Sequence, residues 1–279
     1  MTGRLCTRRQ FLHTVGGLTT ASLLVPVLPA GEDPYAGFRV GLQSYSLRAF
    51  SVDQALEHTS QLGLKYWESF RAHLPLTGDP AVVKQYKGKL AQYGITLYAY
   101  GVERFTADRD QSRLRFEFAR AMGIRVLTAD PEPASFDHLD KLVEEYGIRI
   151  AIHNHGPGAR YDRISDTLAV LKNHHEFIGA CVDTGHYIRS NEDPVEAVEA
   201  FGKRTYAVHL KDVKTLPNGG KRFTVLGEGD LDTVKLLKAL KGVGFTDCLA
   251  LEYEENPRNP LPDIRKCLVH LRAACKALS

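Results

Sequence analysis

From Phe38 onward the chain repeats one local pattern: an amphipathic helical stretch closes on a glycine, and a short strand-forming run follows at once. It reads Gln61-Leu62-Gly63-Leu64-Lys65-Tyr66, Gln92-Tyr93-Gly94-Ile95-Thr96-Leu97, Ala121-Met122-Gly123-Ile124-Arg125-Val126 and Glu145-Tyr146-Gly147-Ile148-Arg149-Ile150, with Gly244 in the same place before the last strand. A glycine just past a helix end enters the left-handed region at little cost and turns the chain into the next element. The spacing predicts strands near 38–43, 65–68, 95–100, 125–129, 148–153, 178–183, 205–210 and 247–252. Helices are expected near 51–62, 80–93, 109–122, 135–146, 163–173, 193–202, 230–241 and 262–277, with Ser51, Ser135 and Asp230 as N-caps. Eight alternating units in about 250 residues predict a closed (β/α)8 TIM barrel forming a single α/β domain. A doubly wound open sheet is the alternative, but no Gly-x-Gly-x-x-Gly follows an early strand.

Residues 1–30 do not share the pattern. Their only charges are Arg4, Arg8 and Arg9, and an apolar stretch from Val15 to Leu28 leads into Pro29-Ala30. The run Thr7-Arg8-Arg9-Gln10-Phe11-Leu12 resembles the twin-arginine export signal, Ser/Thr-Arg-Arg-x-Phe-Leu. A basic N-terminal helix or membrane anchor is the alternative, but the apolar run is short for a span and is broken by Pro26. The expected organisation is an export signal over 1–30, cut near Ala30, and a barrel over 31–279. Such a protein is periplasmic or extracellular, with no stable membrane insertion after cleavage. The formal charge of +3 belongs to the signal: without its three arginines the chain holds 33 basic and 33 acidic residues. No electrostatic case for a nucleic-acid partner remains. Twin-arginine export carries folded proteins, often with a cofactor inside, which adds weight to a bound metal. Four cysteines lie beyond the signal. Cys267 and Cys275 stand about 12 Å apart along one predicted helix, too far to bridge. Cys181 and Cys248 fall in apolar strand patterns, so all four read as buried small hydrophobes.

In a (β/α)8 barrel the chemistry sits at the C-terminal ends of the strands. Here those ends are Gln43, Glu68, Tyr100, Asp130, His153, Asp183, His209 and Glu252, all polar. Four share a further pattern, a small residue two positions earlier: Ala151 before His153, Cys181 before Asp183, Ala207 before His209 and Ala250 before Glu252. Residues two apart share a strand face, so the four polar side chains are expected to converge at the barrel mouth, each above a small interior residue. Two imidazoles and two carboxylates suit one divalent ion, Zn²⁺, Mn²⁺ or Fe²⁺. The alternative is that each polar end caps its strand or binds a backbone group.

Val182-Asp183-Thr184-Gly185-His186, His209-Leu210-Lys211-Asp212, the Gly227-Glu228-Gly229 turn and Leu251-Glu252-Tyr253-Glu254 together resemble the xylose isomerase-like (sugar phosphate isomerase/epimerase) superfamily, over roughly residues 38–275. The resemblance implies a barrel with one divalent metal at its mouth, acting on sugars, keto-sugars or inositol derivatives. It implies Asp183, His209 and Glu252 as metal ligands and His186 beside the substrate. The chain departs from the family at the fifth strand, where many members place a metal-binding Glu and this chain has Ile152-His153-Asn154-His155. In those members two Glu ligands act as paired acid and base. His153 keeps a ligand but removes one carboxylate base, which weakens the case for two-sided epimerisation. His155 is either a replacement base or an orienting partner of His153.

The resulting expectation is a divalent-metal-dependent sugar isomerase or epimerase that abstracts a proton next to a carbonyl held by the metal, with Glu252, His186 and His155 as catalytic residues. Glu68, His73, Lys211 and Arg222 are candidate substrate-binding residues. A metal-dependent lyase or dehydratase, eliminating from a keto-glycoside or inosose after the same first step, is the alternative. A non-catalytic carbohydrate-binding barrel is a third reading. An endonuclease IV-like hydrolase is the fourth; its Asp-Arg-His run before the Gly-Glu-Gly turn is replaced here by Lys221-Arg222-Phe223-Thr224. The expected partner in every enzymatic reading but the last is a small carbohydrate.

Overall fold

The computed structural model describes residues 33–278, so the expected export signal lies outside the described residues. The strands in chain order are β1 (Arg39–Gln43), β2 (Tyr66–Ser69), β3 (Thr96–Phe105), β4 (Val126–Pro131), β5 (Arg149–His153), β6 (Ile178–Asp183), β7 (Thr205–Leu210), β8 (Asp212–Thr215), β9 (Lys221–Thr224) and β10 (Cys248–Leu251). All but β8 and β9 form one closed parallel barrel, which β1 completes by pairing with both β2 and β10. The helices are α1 (Val52–Gln61), α2 (Pro80–Gln92), α3 (Arg109–Met122), α4 (Phe136–Tyr146), α5 (Ile164–Leu171), α6 (Thr184–Arg189), α7 (Pro194–Phe201), α8 (Thr233–Gly242) and α9 (Leu261–Lys276). The TIM barrel expected from the helix–glycine–strand rhythm is the fold observed. Gly63, Gly94, Gly123, Gly147 and Gly244 all have φ between 63° and 80°, the left-handed turn the pattern required.

Four features depart from the sequence-based expectation. The stretch after β7, where no strand was expected, is a β8–β9 antiparallel hairpin, and the extra short helix α6 follows β6 directly. The N-cap of α8 is Asp232, which accepts from the Lys235 N–H, while Asp230 is occupied by Thr215 across the hairpin base. Two aspartates two residues apart are equivalent in sequence; the hairpin's return path decides which one reaches the helix. Ser51 caps α1 as expected, whereas the Ser135 hydroxyl donates to the Glu132 carbonyl and makes no cap bond.

The barrel separates two cores. Outward-facing Leu42, Trp67, Leu127, Ile152, Val182 and Val208 pack against helix residues such as Phe116, Leu139 and Leu236. Burial of each large side chain contributes roughly 1.5–3 kcal/mol. Inside the ring lie Tyr98, Ala99, Val126, Ala151, Cys181, Tyr206, Ala207 and Cys248. The tyrosines fill the N-terminal floor, and the small Ala151, Cys181 and Ala207 leave room above them for large polar side chains. The four cysteines among the described residues are buried and free, as anticipated. No helix among the described residues is long and apolar enough to cross a membrane.

The floor is closed by a polar plug. Arg149 Nη1 donates to Asp247 Oδ2 at 2.7 Å, the Tyr98 hydroxyl donates to Asp247 Oδ1 at 2.7 Å, and the Arg149 guanidinium lies 4.7 Å over the Tyr206 ring. Burial, reinforced by the bond to Asp247, pushes the Tyr98 phenol up to about 12. A raised folded-state pKa means that this contribution to stability is complete below the ordinary value of 10.0 and is lost as pH rises through about 12. Tyr98→Phe should therefore cost about 1–2 kcal/mol at pH 7, with a smaller loss near pH 11. Urea unfolding at the two pH values measures both.

Candidate functional site

Register brings the polar strand ends to one level. Asp183 on β6 pairs directly with His209 on β7, His153 on β5 sits opposite Cys181, and Glu252 follows β10 with its N–H bonded to the Leu210 carbonyl. His153, Asp183, His209 and Glu252 are all buried, and each offers a ligand atom within 4.8 Å of the others. His153 Nε2 lies 3.0 Å from His209 Nδ1 and 3.2 Å from Asp183 Oδ2; His209 Nδ1 lies 3.1 Å from Glu252 Oε2 and 3.8 Å from Asp183 Oδ2. Ligand atoms tetrahedrally disposed around a Zn²⁺-sized ion stand about 3.4 Å apart. The four residues fit such an ion.

The surroundings prepare these atoms for a cation. His209 Nε2 donates to Glu68 Oε2 at 2.9 Å, so Nδ1 is the ring nitrogen turned toward the cluster. Glu68 is itself fixed by Gln43 Nε2 at 2.9 Å and by the Thr128 hydroxyl. Asp183 Oδ2 is buried and accepts no well-aligned hydrogen bond, although Lys211 Nζ stands 2.9 Å away. Asp183 is held by the Asn154 side-chain amide, which bonds both its N–H (2.8 Å) and its carbonyl (3.0 Å), while Asp183 Oδ1 accepts the His186 N–H and caps α6. Cys181 lies near both imidazoles, but burial pushes its thiol up to about 11, so the carboxylates are the better anionic donors.

Lys211, buried beside β7, pairs with Asp183, with Glu252 at 3.0 Å and with Glu254. Burial opposes the ionisation of Glu252, yet Lys211 and His209 outweigh it and bring its carboxyl to about 2. Asp183 is likewise held well below the usual carboxylate range against burial, by Lys211, His186 and His153. Burial dominates at the other imidazoles: it lowers His153 to about 4 and His186 to about 3, and it lowers His155 as well. His209 goes the other way, its burial outweighed by Cys181, Glu68 and Glu252.

A cleft of about 450 Å³ opens above the cluster. One wall is polar: His153, His155, His186, Lys211, Glu252 and Glu254. The facing wall, from the ends of β1 to β3, consists of Gln43, Tyr45, Phe70, Arg71, Gly101 and Val102. Of the residues singled out in sequence, His153, Asp183, His209, Glu252, His155, His186 and Lys211 are thus brought together. Glu68 lies beneath the cleft with its carboxylate committed to His209, Gln43 and Thr128. His73 is buried away from the cleft, stacked 5.6 Å from the Trp67 ring with Nε2 at 3.2 Å from the Phe50 carbonyl. Arg222 is on the exposed face of the hairpin, and its neighbour Phe223 turns inward against His186 at 5.5 Å. His155 packs its ring 4.4 Å from that of His153, but His153 Nδ1 has no hydrogen-bond partner. The two rings therefore pack at a tilt of 56° without a bond that would orient His153.

Sequence reasoning missed Asn154, Glu254, Arg71 and the role of Asp212. The Asp212 carboxylate accepts the N–H groups of Val213, Gly227, Gly229 and Leu231, tying the Gly227-Glu228-Gly229 turn to the root of the hairpin. A Cβ on Gly229 would stand 2.3 Å from Asp212 Oδ1, which is why glycine is required there. Glu254 had a usable signal: it lies two residues past Glu252 and so can share its side.

A family model for the xylose isomerase-like TIM barrel matches residues 56–274. The chain belongs to this family. It is 28% identical to the inosose dehydratase of Mesomycoplasma hyopneumoniae (strain 7448) over 151 residues, 48% of this chain and 50% of that one. The chain spans about half the length of the curated relatives it matches. Among solved structures, the IolI protein with a binding zinc atom superposes with a TM-score of 0.71 at 15% identity, covering 86% of this chain and 99% of that one. The 3-keto-D-glucoside 4-epimerase of E. coli, in its apo form, gives 0.66 at 14% identity, covering 85% and 99%. At these identities the likeness is one of fold.

Because Glu68 sets the proton position on His209, Glu68→Gln should weaken Zn²⁺ binding about 10–100-fold with little change in far-UV circular dichroism. Competition against a chromogenic chelator measures it; unchanged affinity would remove Glu68 from this role.

Proposed function

We propose that this protein is a divalent-metal-dependent enzyme acting on a sugar, keto-sugar or inositol derivative by removing a proton next to a carbonyl. The observation that carries the reading is the convergence of four ligand atoms at the base of a cleft whose wall also holds two uncharged imidazoles, His155 and His186. His153, Asp183, His209 and Glu252 would hold the ion. When bound, it supplies Lewis acidity toward adjacent carbonyl and hydroxyl oxygens of the substrate. The curated inosose dehydratases and the sugar epimerases of like fold support a carbohydrate substrate.

The chain's own residues take the remaining roles. His155 is half-buried, and because burial lowers its pKa it is neutral near pH 7, free to accept a proton from carbon. Arg189 Nη1 can only donate, so its 3.0 Å contact makes His186 Nδ1 the acceptor and leaves Nε2–H as a donor for a substrate oxygen. Lys211 keeps Asp183 and Glu252 anionic. Return of the proton to the neighbouring carbon completes an isomerisation, and return to the same carbon from the other face an epimerisation. Expulsion of a β-oxygen, which leaves with a proton as the C–O bond breaks and the C=C bond forms, completes an elimination. His153 in place of a second carboxylate favours elimination as the second reading, as do the inosose dehydratase relatives.

Incubation of the Zn²⁺- or Mn²⁺-loaded protein in D₂O with a panel of ketoses, keto-glycosides and inososes should give deuterium at the carbon beside the carbonyl. Exchange with a rearranged product supports isomerisation or epimerisation; exchange with loss of water or an alcohol supports elimination. Asp183→Ala should abolish both metal binding and exchange. No exchange in the whole panel, or purified protein without transition metal, would favour a carbohydrate-binding barrel instead.

We further propose export by the twin-arginine route, on the strength of Thr7-Arg8-Arg9-Gln10-Phe11-Leu12. Replacing both Arg8 and Arg9 by Lys should retain the protein in the cytoplasmic fraction; unaltered fractionation would overturn the reading.

A further inference from the structure

The two walls of the cleft differ in chemistry. The titratable groups stand on the β5, β6, β7 and β10 side, while Tyr45, Phe70 and Val102 form an apolar strip on the side of β1 to β3. Only three large hydrophobic side chains among the described residues are exposed: Tyr45 (37%), Val102 (37%) and Val269. Two of the three therefore lie at the mouth of this cleft. An isolated exposed apolar residue needs no explanation, but a cluster continuous with a polar site marks a surface that a ligand covers. Tyr45 is also held in position. The Arg48 guanidinium covers its ring at 4.7 Å, the Phe70 ring meets it edge-on at 5.5 Å, and Arg48 is anchored to the Glu254 carbonyl. Beside the strip, Arg71 is half-exposed and spends one nitrogen on Glu103 at 2.8 Å, leaving other N–H groups for hydroxyl oxygens.

We propose that this strip is a subsite for a second ring, so that the substrate is a glycoside whose leaving portion presents a flat apolar face, rather than a free monosaccharide or inosose. The proposal rests on the reading above that the reacting sugar ring sits over His153, Asp183, His209 and Glu252. A cleft of about 450 Å³ has room beyond one six-membered ring, and the second ring would lie over Tyr45 and Val102 with its edge toward Arg71. An aromatic aglycone and the apolar face of a second sugar share this chemistry.

The test is calorimetric binding of phenyl β-D-glucopyranoside, cellobiose and methyl β-D-glucopyranoside to the zinc-loaded full chain, with and without Tyr45→Ala and Val102→Ser. These probes do not react, so binding is read apart from turnover. Phenyl glucoside or cellobiose should bind at least 10-fold more tightly than methyl glucoside; the tighter of the two tells an aromatic from a sugar occupant. The double variant should bring this ratio near 1 while leaving methyl glucoside affinity unchanged. Equal affinities in the unsubstituted protein, a ratio that survives the double variant, or no binding of any probe would overturn the subsite. A retained ratio with no deuterium exchange on any substrate would overturn the proposed chemistry and leave the subsite standing.

Discussion

The arrangement depends on a cluster of buried charge at the barrel mouth. Asp183 and Glu252 face Lys211, Glu68 faces His209, and all five side chains are almost wholly removed from water. Isolated charges could not be buried here, since the desolvation cost of each is several kcal/mol. They persist because every carboxylate has a cation or N–H within reach. Such a cluster is a poor source of stability but a well-prepared receptor for a divalent ion. Asp183 Oδ2 is buried there without a well-aligned hydrogen bond, 3.2 Å from His153 Nε2, and a cation would satisfy it.

The barrel makes that cluster affordable by geometry. Parallel strands in register put residues from β5, β6, β7 and β10 at one height, and the small Ala151, Cys181 and Ala207 beneath them keep the interior from crowding. Positioning then passes outward through side-chain bonds. Gln43 and Thr128 hold Glu68, Glu68 holds His209, and Asn154 clamps the peptide of Asp183. The hairpin is tied by Asp212 to the Gly227-Glu228-Gly229 turn, which sets Phe223 against His186. The cluster of His153, Asp183, His209 and Glu252 therefore rests on strand ends, and the cleft above it is shaped by the loops.

Much of this was legible before any coordinates. The glycine after each helix and the strand that follows are local events governed by backbone sterics, so eight units and a barrel could be read along the chain. The convergence of the four side chains was legible because strand alternation is strictly two-fold: Ala151 and His153, or Ala207 and His209, must share a face. Other residues were not. Glu68 looked like a candidate for the substrate, and only the path of β2 next to β1 and the height of His209 show where its carboxylate goes. His73 is a histidine near a strand end whose ring is claimed by Trp67 and the Phe50 carbonyl. At the hairpin, the single-residue alternation of a strand that the sequence did not announce puts Phe223 inward and Arg222 outward.

The chain's local chemistry by itself determined the fold class, the number of βα units and the four side chains at the barrel mouth, because these follow from periodicities of two and 3.6 residues and from glycine's access to positive φ. Tertiary structure alone decided which partners neutralise those side chains, that Lys211 joins Asp183 to Glu252 and Glu254, and that Tyr45, Phe70 and Val102 face them across a cleft. These are contacts between residues from about 25 to more than 200 positions apart, and their energies depend on burial and distance, quantities that exist only once the ring has closed.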